Sequence, residues 1–220
     1  MRRNLLQSLC LSIMTGTIVL SFLSCDNIYD DPSEGDPSQH KKDNTYTNIN
    51  ATEYTNWVYL DLKNGSQKTL LYDNMADIPA EWHFALHRYD CKTNGGAALE
   101  TAYADLETFR RDAGNGTYTR PSDASFKPDV ADRIIIDMSG MMQGKVIYAN
   151  TPKNKELGKW LDVNMSTMPP TYKPSEKVYL LLMKDKTIAA IRFTGFANPN
   201  KYNIKGYISF DYIYPVKFKD

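Results

Sequence analysis

Strand-forming side chains are concentrated in two stretches of this chain. Across residues 56–62, Trp57, Tyr59 and Asp61 fall on one side and Val58, Leu60 and Leu62 on the other, a period of two that predicts a strand. Residues 63–66, Lys-Asn-Gly-Ser, then predict a turn, and 67–72 a second strand pairing back across the first. Toward the other end, residues 177–183, 187–196 and 207–218 are rich in β-branched and aromatic side chains, separated by turn formers at 184–186 and 198–200. They predict a three-stranded meander against which the rest packs. Its aromatics, Tyr179, Phe193, Phe196, Tyr207, Phe210, Tyr212 and Tyr214, are assigned to the core and the sheet faces.

The middle of the chain is less regular. Residues 81–89, EWHFALHRY, follow Pro79 and read as a strand with Trp82, Phe84 and Leu86 on one face and His83, Ala85 and His87 on the other. Residues 97–111 carry Leu99, Tyr103, Leu106 and Phe109 near helical spacing, and the pattern fits a helix or an irregular run with short strands equally well. Residues 112–127 read as a loop, because Gly114-Asn115-Gly116 and Pro121-Ser122-Asp123 crowd them with turn formers. A short strand at 133–137 leads Met138 into Ser139-Gly140-Met141-Met142, and 145–149 is strand-like again, so this methionine cluster is expected at a bend between strands. Residues 154–162 predict a short helix capped by Asn154, with Leu157, Trp160 and Leu161 buried. It gives way to Met165 and Met168 before Pro169-Pro170, which no helix continues through. Five of the nine methionines thus lie in two loops flanking one connector, a placement that suits a soft-metal or apolar ligand.

Composition narrows the class. With 220 residues, 42% of them apolar, the chain can bury one good core, and one domain is expected over 53–220. Acids and bases balance at 26 each, which leaves no electrostatic footprint for nucleic acid. Residues 1–24, with Arg2 and Arg3, an apolar run diluted by Ser and Thr, and a small-residue exit, read as a targeting segment. The layout resembles a bacterial lipoprotein signal that leaves Cys25 as the lipidated first residue, with Phe22 where Leu is usual; an ordinary secretory signal is the alternative. Residues 25–52, with Ile28 and Ile49 almost the only aliphatic side chains, are expected to be a flexible tether, and its acids Asp26, Asp30, Asp31, Glu34 and Asp36 resemble the export signal of Bacteroidota-type surface lipoproteins. Once Cys10 leaves with the signal and Cys25 is acylated, Cys91 has no partner and is assigned to the core.

His83 and His87 raise a metal question. The glutamate of an HExxH helix is missing after His83, and two same-face strand histidines are more often hydrogen-bonded structural groups than ligands. No Ser-His-Asp order, carboxylate pair or phosphate loop suggests an enzyme.

One segment carries a family resemblance. Residues 81–96, EWHFALHRYDCKTNGG, together with IDMSGMM at 136–142 and MPPTY at 168–172, are similar to segments of the HmuY-like haem-binding lipoproteins. The resemblance spans most of the chain after Tyr54. It implies an all-β, mostly antiparallel fold with one or two short helices, and non-covalent haem held between two loops by a pair of histidines or of methionines. No histidine follows His87, so the resemblance leaves methionine ligation. Met168, aimed by the adjacent prolines, and Met141 are the expected axial ligands, with Met142 close behind since only one of the adjacent pair can face the iron. Met138 and Met165 are assigned to packing. The implied role is a surface lipoprotein of the outer membrane, retained by the lipid on Cys25 or shed, that takes haem from sources such as host haemoproteins and passes it to a TonB-dependent haem receptor. The alternative from another class is an adhesion or glycan-binding lipoprotein whose methionines are core.

Overall fold

Strand periodicity sorts the side chains of this protein into layers. A computed structural model describes residues 44–219, so the targeting segment, Cys25 and the acidic run lie outside the described residues. The chain runs through β1 (Thr45–Asn50), β2 (Asn56–Asp61), β3 (Ser66–Leu71), β4 (Phe84–His87), β5 (Asp90–Thr93), β6 (Ala97–Glu100), α1 (Leu106–Asn115), β7 (Lys127–Pro128), β8 (Val130–Gly140), β9 (Lys145–Lys153), β10 (Leu161–Asn164), β11 (Thr171–Pro174), β12 (Val178–Leu182), β13 (Ile188–Asn198) and β14 (Ile204–Ile213). A six-stranded sheet has the order β1-β14-β13-β12-β6-β7, a four-stranded sheet the order β3-β2-β4-β5, and β8–β9 and β10–β11 are separate hairpins. All these pairings are antiparallel.

The two larger sheets face each other across the main core. Val58 and Leu60 of β2, Phe84 and Leu86 of β4, Tyr179 and Leu181 of β12, and Ile191 and Phe193 of β13 all enter it. Phe210 ties the layers together, with Phe84 edge-on at 5.5 Å and Tyr46 stacked at 5.0 Å between ring centroids. The alternate residues go outward into two further clusters. Val178, Leu180, Leu182, Ile188 and Ala190 pack under α1. Trp57, Tyr59 and Ala85 pack beneath the β8–β9 hairpin through Ile134. Both faces of the central strands are therefore covered, which is why those strands read as nearly continuous apolar runs.

The expected meander is present as β12, β13 and β14, and the first hairpin as β2 and β3. Three expectations need correction. The tether was expected to reach residue 52, yet β1 pairs with β14 and buries Tyr46 and Ile49. Positions 46 and 49 break the period of two. Asn48, at φ 54°, sits in a register shift that turns both side chains to the same face. The loop expected over 112–127 is helical as far as Asn115. The Asp105 carboxylate accepts from the Thr108 amide at 2.7 Å to start α1, Leu106, Phe109 and Ala113 are its buried stripe, and Gly116 at φ 86° ends it. Trp82 does not share a face with Phe84 and Leu86. It precedes β4 and packs edge-on against Tyr59, on the outer side of the sheet.

Lys92 is the cation inside that outer cluster. Its ammonium donates to the Tyr59 hydroxyl at 3.0 Å and lies 4.2 Å from the centre of the Trp57 ring. Burial pushes its pKa from the ordinary 10.5 to about 8, against the attraction of Asp129. The unfolded chain therefore holds a proton on Lys92 that the folded chain releases above pH 8, so the Lys92 contribution to stability rises with pH across this window. Burial also raises the Cys91 thiol and the phenols of several tyrosines, Tyr46, Tyr59 and Tyr179 among them, and these groups lose stability as pH climbs through their ordinary values, which opposes the Lys92 gain. In urea unfolding between pH 8 and 10 the parent is therefore expected to gain about 2 kcal/mol relative to Lys92→Met. Parallel pH profiles for the two proteins would rule out this role for Lys92.

Candidate functional site

Each methionine cluster caps a hairpin. In β8–β9, Ile134 is buried on the four-stranded sheet and Ile136 and Ala149 pack beside it, so this part of the hairpin is held by the core. The ladder shifts register on either side of Asp137, and the chain reverses through a 3₁₀ turn, Met141–Gln143. Gly144 closes that turn at φ 70°, its amide donating to the Met141 carbonyl at 2.9 Å. Gly140 is equally constrained, because a Cβ there would stand 2.6 Å from the Lys145 carbonyl oxygen. The Asp137 carboxylate accepts from the Ser139 amide at 2.7 Å, which holds its pKa below the usual value and stiffens the approach to the tip.

The second tip is the loop 165–170, closed by the Asn164–Thr171 pair at the end of β10–β11. Asn164 Oδ1 accepts from the amide and hydroxyl of Ser166 at 2.9 and 2.6 Å. The Thr167 hydroxyl donates to the Pro169 carbonyl at 3.0 Å, and the Met168–Pro169 peptide is cis. Met141 is 45% exposed, Met142 85%, Met165 63% and Met168 86%, while Met138 is half-buried. The packing role expected of Met165 is corrected by its exposure. It sits in the open loop beyond the last ladder pair, where no core side chain reaches it.

Both hairpins are rooted in the connector between β9 and β10. Asn154 is fully buried there. Its side-chain amide donates to the Lys127 carbonyl at 2.9 Å and to Asp129 at 3.0 Å, its oxygen accepts from the Leu157 amide at 2.8 Å, and its own backbone amide donates to the Cys91 carbonyl at 2.8 Å. Asp129 in turn accepts from the backbone and hydroxyl of Thr93 at 2.7 and 2.9 Å. The expected cap at Asn154 is thus real, although the helix is a single 3₁₀ turn, Leu157–Trp160, and Leu161 already begins β10. Trp160 stacks on Phe193 at 4.4 Å and donates its indole N–H to the Tyr89 carbonyl at 3.0 Å.

A groove of about 330 Å³ lies between the two roots, lined among others by Tyr89, Asp90, Asp132, Lys153, Lys155 and Val163. Lys153 is 3.0 Å from Asp90 and 3.5 Å from Asp132, and Lys155 is 3.5 Å from Asp132. The backbone amide of Arg133, and then these two lysines, keep the Asp132 carboxyl below its usual range. The sequence reading missed this basic rim. Its signal was Lys153-x-Lys155, spaced to leave a strand end on one side. Tyr172 and Tyr89 flank Phe196 next to the groove, at 5.0 and 6.1 Å between ring centroids.

The histidines serve the fold. His83 Nδ1 accepts from the Leu62 amide at 3.0 Å beside Asp61, and burial keeps its pKa low. His87 is fully buried, with Nε2 2.7 Å from the Tyr54 carbonyl and its ring against Trp57. Among the described residues no three His, Cys, Asp or Glu side chains gather as a metal site. Cys91 lies in the main core, and burial lifts its thiol well above the ordinary range, so it is not a nucleophile.

Two facing antiparallel sheets that carry exposed donor side chains on two hairpin tips define a binding protein, its variable chemistry held on loops by a rigid scaffold. The chain belongs to the HmuY family, whose model matches residues 53–212. Among solved structures, a Bacteroides vulgatus protein described as HmuY-like and haem-binding is 39% identical, with a TM-score of 0.70 over 83% of this chain and 96% of its own. A Bacteroides fragilis protein described as a lipoprotein is 41% identical, with a TM-score of 0.69 over 81% and 94%. The apo form of a HmuY analogue from Tannerella forsythia is 26% identical, with a TM-score of 0.62 over 76% and 93%. No curated protein matches significantly.

Replacing Asn154 with Ala removes three side-chain hydrogen bonds and leaves buried partners unsatisfied, with an expected loss of about 3 kcal/mol in urea unfolding. Met142→Ala and Met168→Ala, both at exposed tips, should change stability by no more than about 0.5 kcal/mol. A large loss at either tip would mean that it is packed rather than free.

Proposed function

We propose that this protein binds haem non-covalently, with one thioether from each hairpin tip as the axial pair, Met168 from the second and Met141 or its neighbour Met142 from the first. The observation that carries the reading is the inversion of the usual donor placement: of the two described histidines, His87 is buried and His83 is held by the Leu62 amide, while four methionines of a HmuY-family chain stand in solvent on two hairpins. A neutral thioether favours reduced iron over ferric iron, which histidine binds better. The basic side chains of Lys153 and Lys155 suit the carboxylates of haem, and Tyr89 and Tyr172 supply aromatic surface near them. Family membership favours haem over the adhesion or glycan-binding reading, and a binder over an enzyme.

The biological setting is part of the same proposal. Lipidation of Cys25 would anchor the protein to the outer membrane, and residues 26–43 would hold the domain out to collect haem, from host haemoproteins among other sources, for a TonB-dependent receptor. No helix among the described residues is long and apolar enough to cross a membrane.

Haemin added to the purified protein under air and then with dithionite is expected to give a sharp low-spin spectrum, strongest after reduction. No Soret shift under either condition would sink the haem reading. Met168→Ala should turn the reduced spectrum high-spin or weaken binding, and so should one of Met141→Ala and Met142→Ala. An unchanged spectrum in all three would move ligation to Met138 or Met165. In whole cells, Cys25→Ala should shift the protein from the detergent phase to the aqueous phase of a Triton X-114 partition; unchanged partitioning would exclude the lipid anchor at that residue.

A further inference from the structure

The same exposure that makes the tip thioethers available to iron leaves them open to oxidants. Met141, Met142, Met165 and Met168 are 45%, 85%, 63% and 86% exposed, whereas Met183, within the sheet core, is 8% exposed. Neither tip has a cysteine to react first, since the only described cysteine is the buried Cys91. Nothing in the fold depends on these side chains either, because each tip is closed by backbone and polar side-chain bonds. A chemical change at the sulfurs can therefore alter ligand binding while the domain stays folded.

We propose that peroxide or hypochlorous acid switches off haem capture by converting the tip methionines to sulfoxides. This rests on the axial-thioether reading above. A sulfur lone pair attacks the terminal oxygen of hydrogen peroxide; the S–O bond forms as the O–O bond breaks, sulfur loses two electrons, and the peroxide leaves as water. With hypochlorous acid the leaving group is chloride and a proton is released. The product is a polar, chiral sulfoxide that presents a hard oxygen where a soft sulfur stood, and it no longer matches reduced haem iron. Methionine sulfoxide reductases reverse the change, so the site would behave as a switch. Capture would then stop when oxidants rise, which is when free reduced haem is most harmful through its reaction with peroxide.

The test uses the full-length protein, treated with hydrogen peroxide, freed of it, and analysed by peptide mass spectrometry before haemin and dithionite are added. Met141, Met142, Met165 and Met168 should each gain one oxygen at least several-fold faster than Met183. The reduced low-spin spectrum should be lost in step with oxidation of Met168 and of one of the Met141–Met142 pair, and should return after treatment with methionine sulfoxide reductases A and B. Met75, 68% exposed and outside both tips, is the control: Met75→Leu should lose haem on oxidation as the parent does. Oxidation of the tips no faster than of Met183, or a haem spectrum that survives their full oxidation, would overturn the switch alone. A missing spectrum in the untreated protein would overturn the axial-thioether reading and the switch with it.

Discussion

One buried amide governs how this molecule presents its loops. The Asn154 side chain makes three hydrogen bonds that join two pieces of chain: Lys127 and Asp129 on the approach to β8, and the turn that leads into β10. Asp129 extends the network to Thr93 of β5, and so to the four-stranded sheet. An amide in such a place is costly unless fully satisfied, and here it is satisfied only when both hairpin roots are correctly seated. The polar network thus sets the origin of both tips, while Trp160, stacked on Phe193, supplies the apolar weight.

Above that root the demands on the chain change. The tips have turns closed by their own backbone and by Asn164, Ser166 and Thr167, and the methionines project from them into solvent. The core holds most of the large aromatics and His87, and the tips hold the exposed thioethers. The chain belongs to the HmuY family, and the HmuY-like Bacteroides vulgatus protein shares this fold at 39% identity. The groove between the roots carries charge of both signs, with Lys153 and Lys155 paired to Asp90 and Asp132.

Much of this was legible from residue order. The β2–β3 hairpin and the β12–β14 meander follow from alternation and turn chemistry, and the methionine clusters were placed correctly at bends because Gly140, Gly144 and the prolines end the strands around them. Where the reading failed, a local signal was outweighed by a distant partner. β1 has only two core side chains, and a register shift at Asn48 disguises their common face. α1 ends in Gly114 and Asn115, which look like a turn, yet its apolar stripe is paid for by the sheet below. Trp82 kept its alternation on paper but lies outside β4, so the period no longer applied to it.

By itself the sequence determined the first hairpin, the closing three-stranded meander, and the presence of thioethers in two loops, because these follow from local sterics and side-chain chemistry. Only the tertiary structure decided that Ile49 is core and Met165 is not, that His87 faces inward, and that Lys153 and Lys155 border a groove between the hairpin roots. Those outcomes depend on which residues, far apart in the chain, come to share a buried face. Periodicity along one segment carries no information about what will cover it.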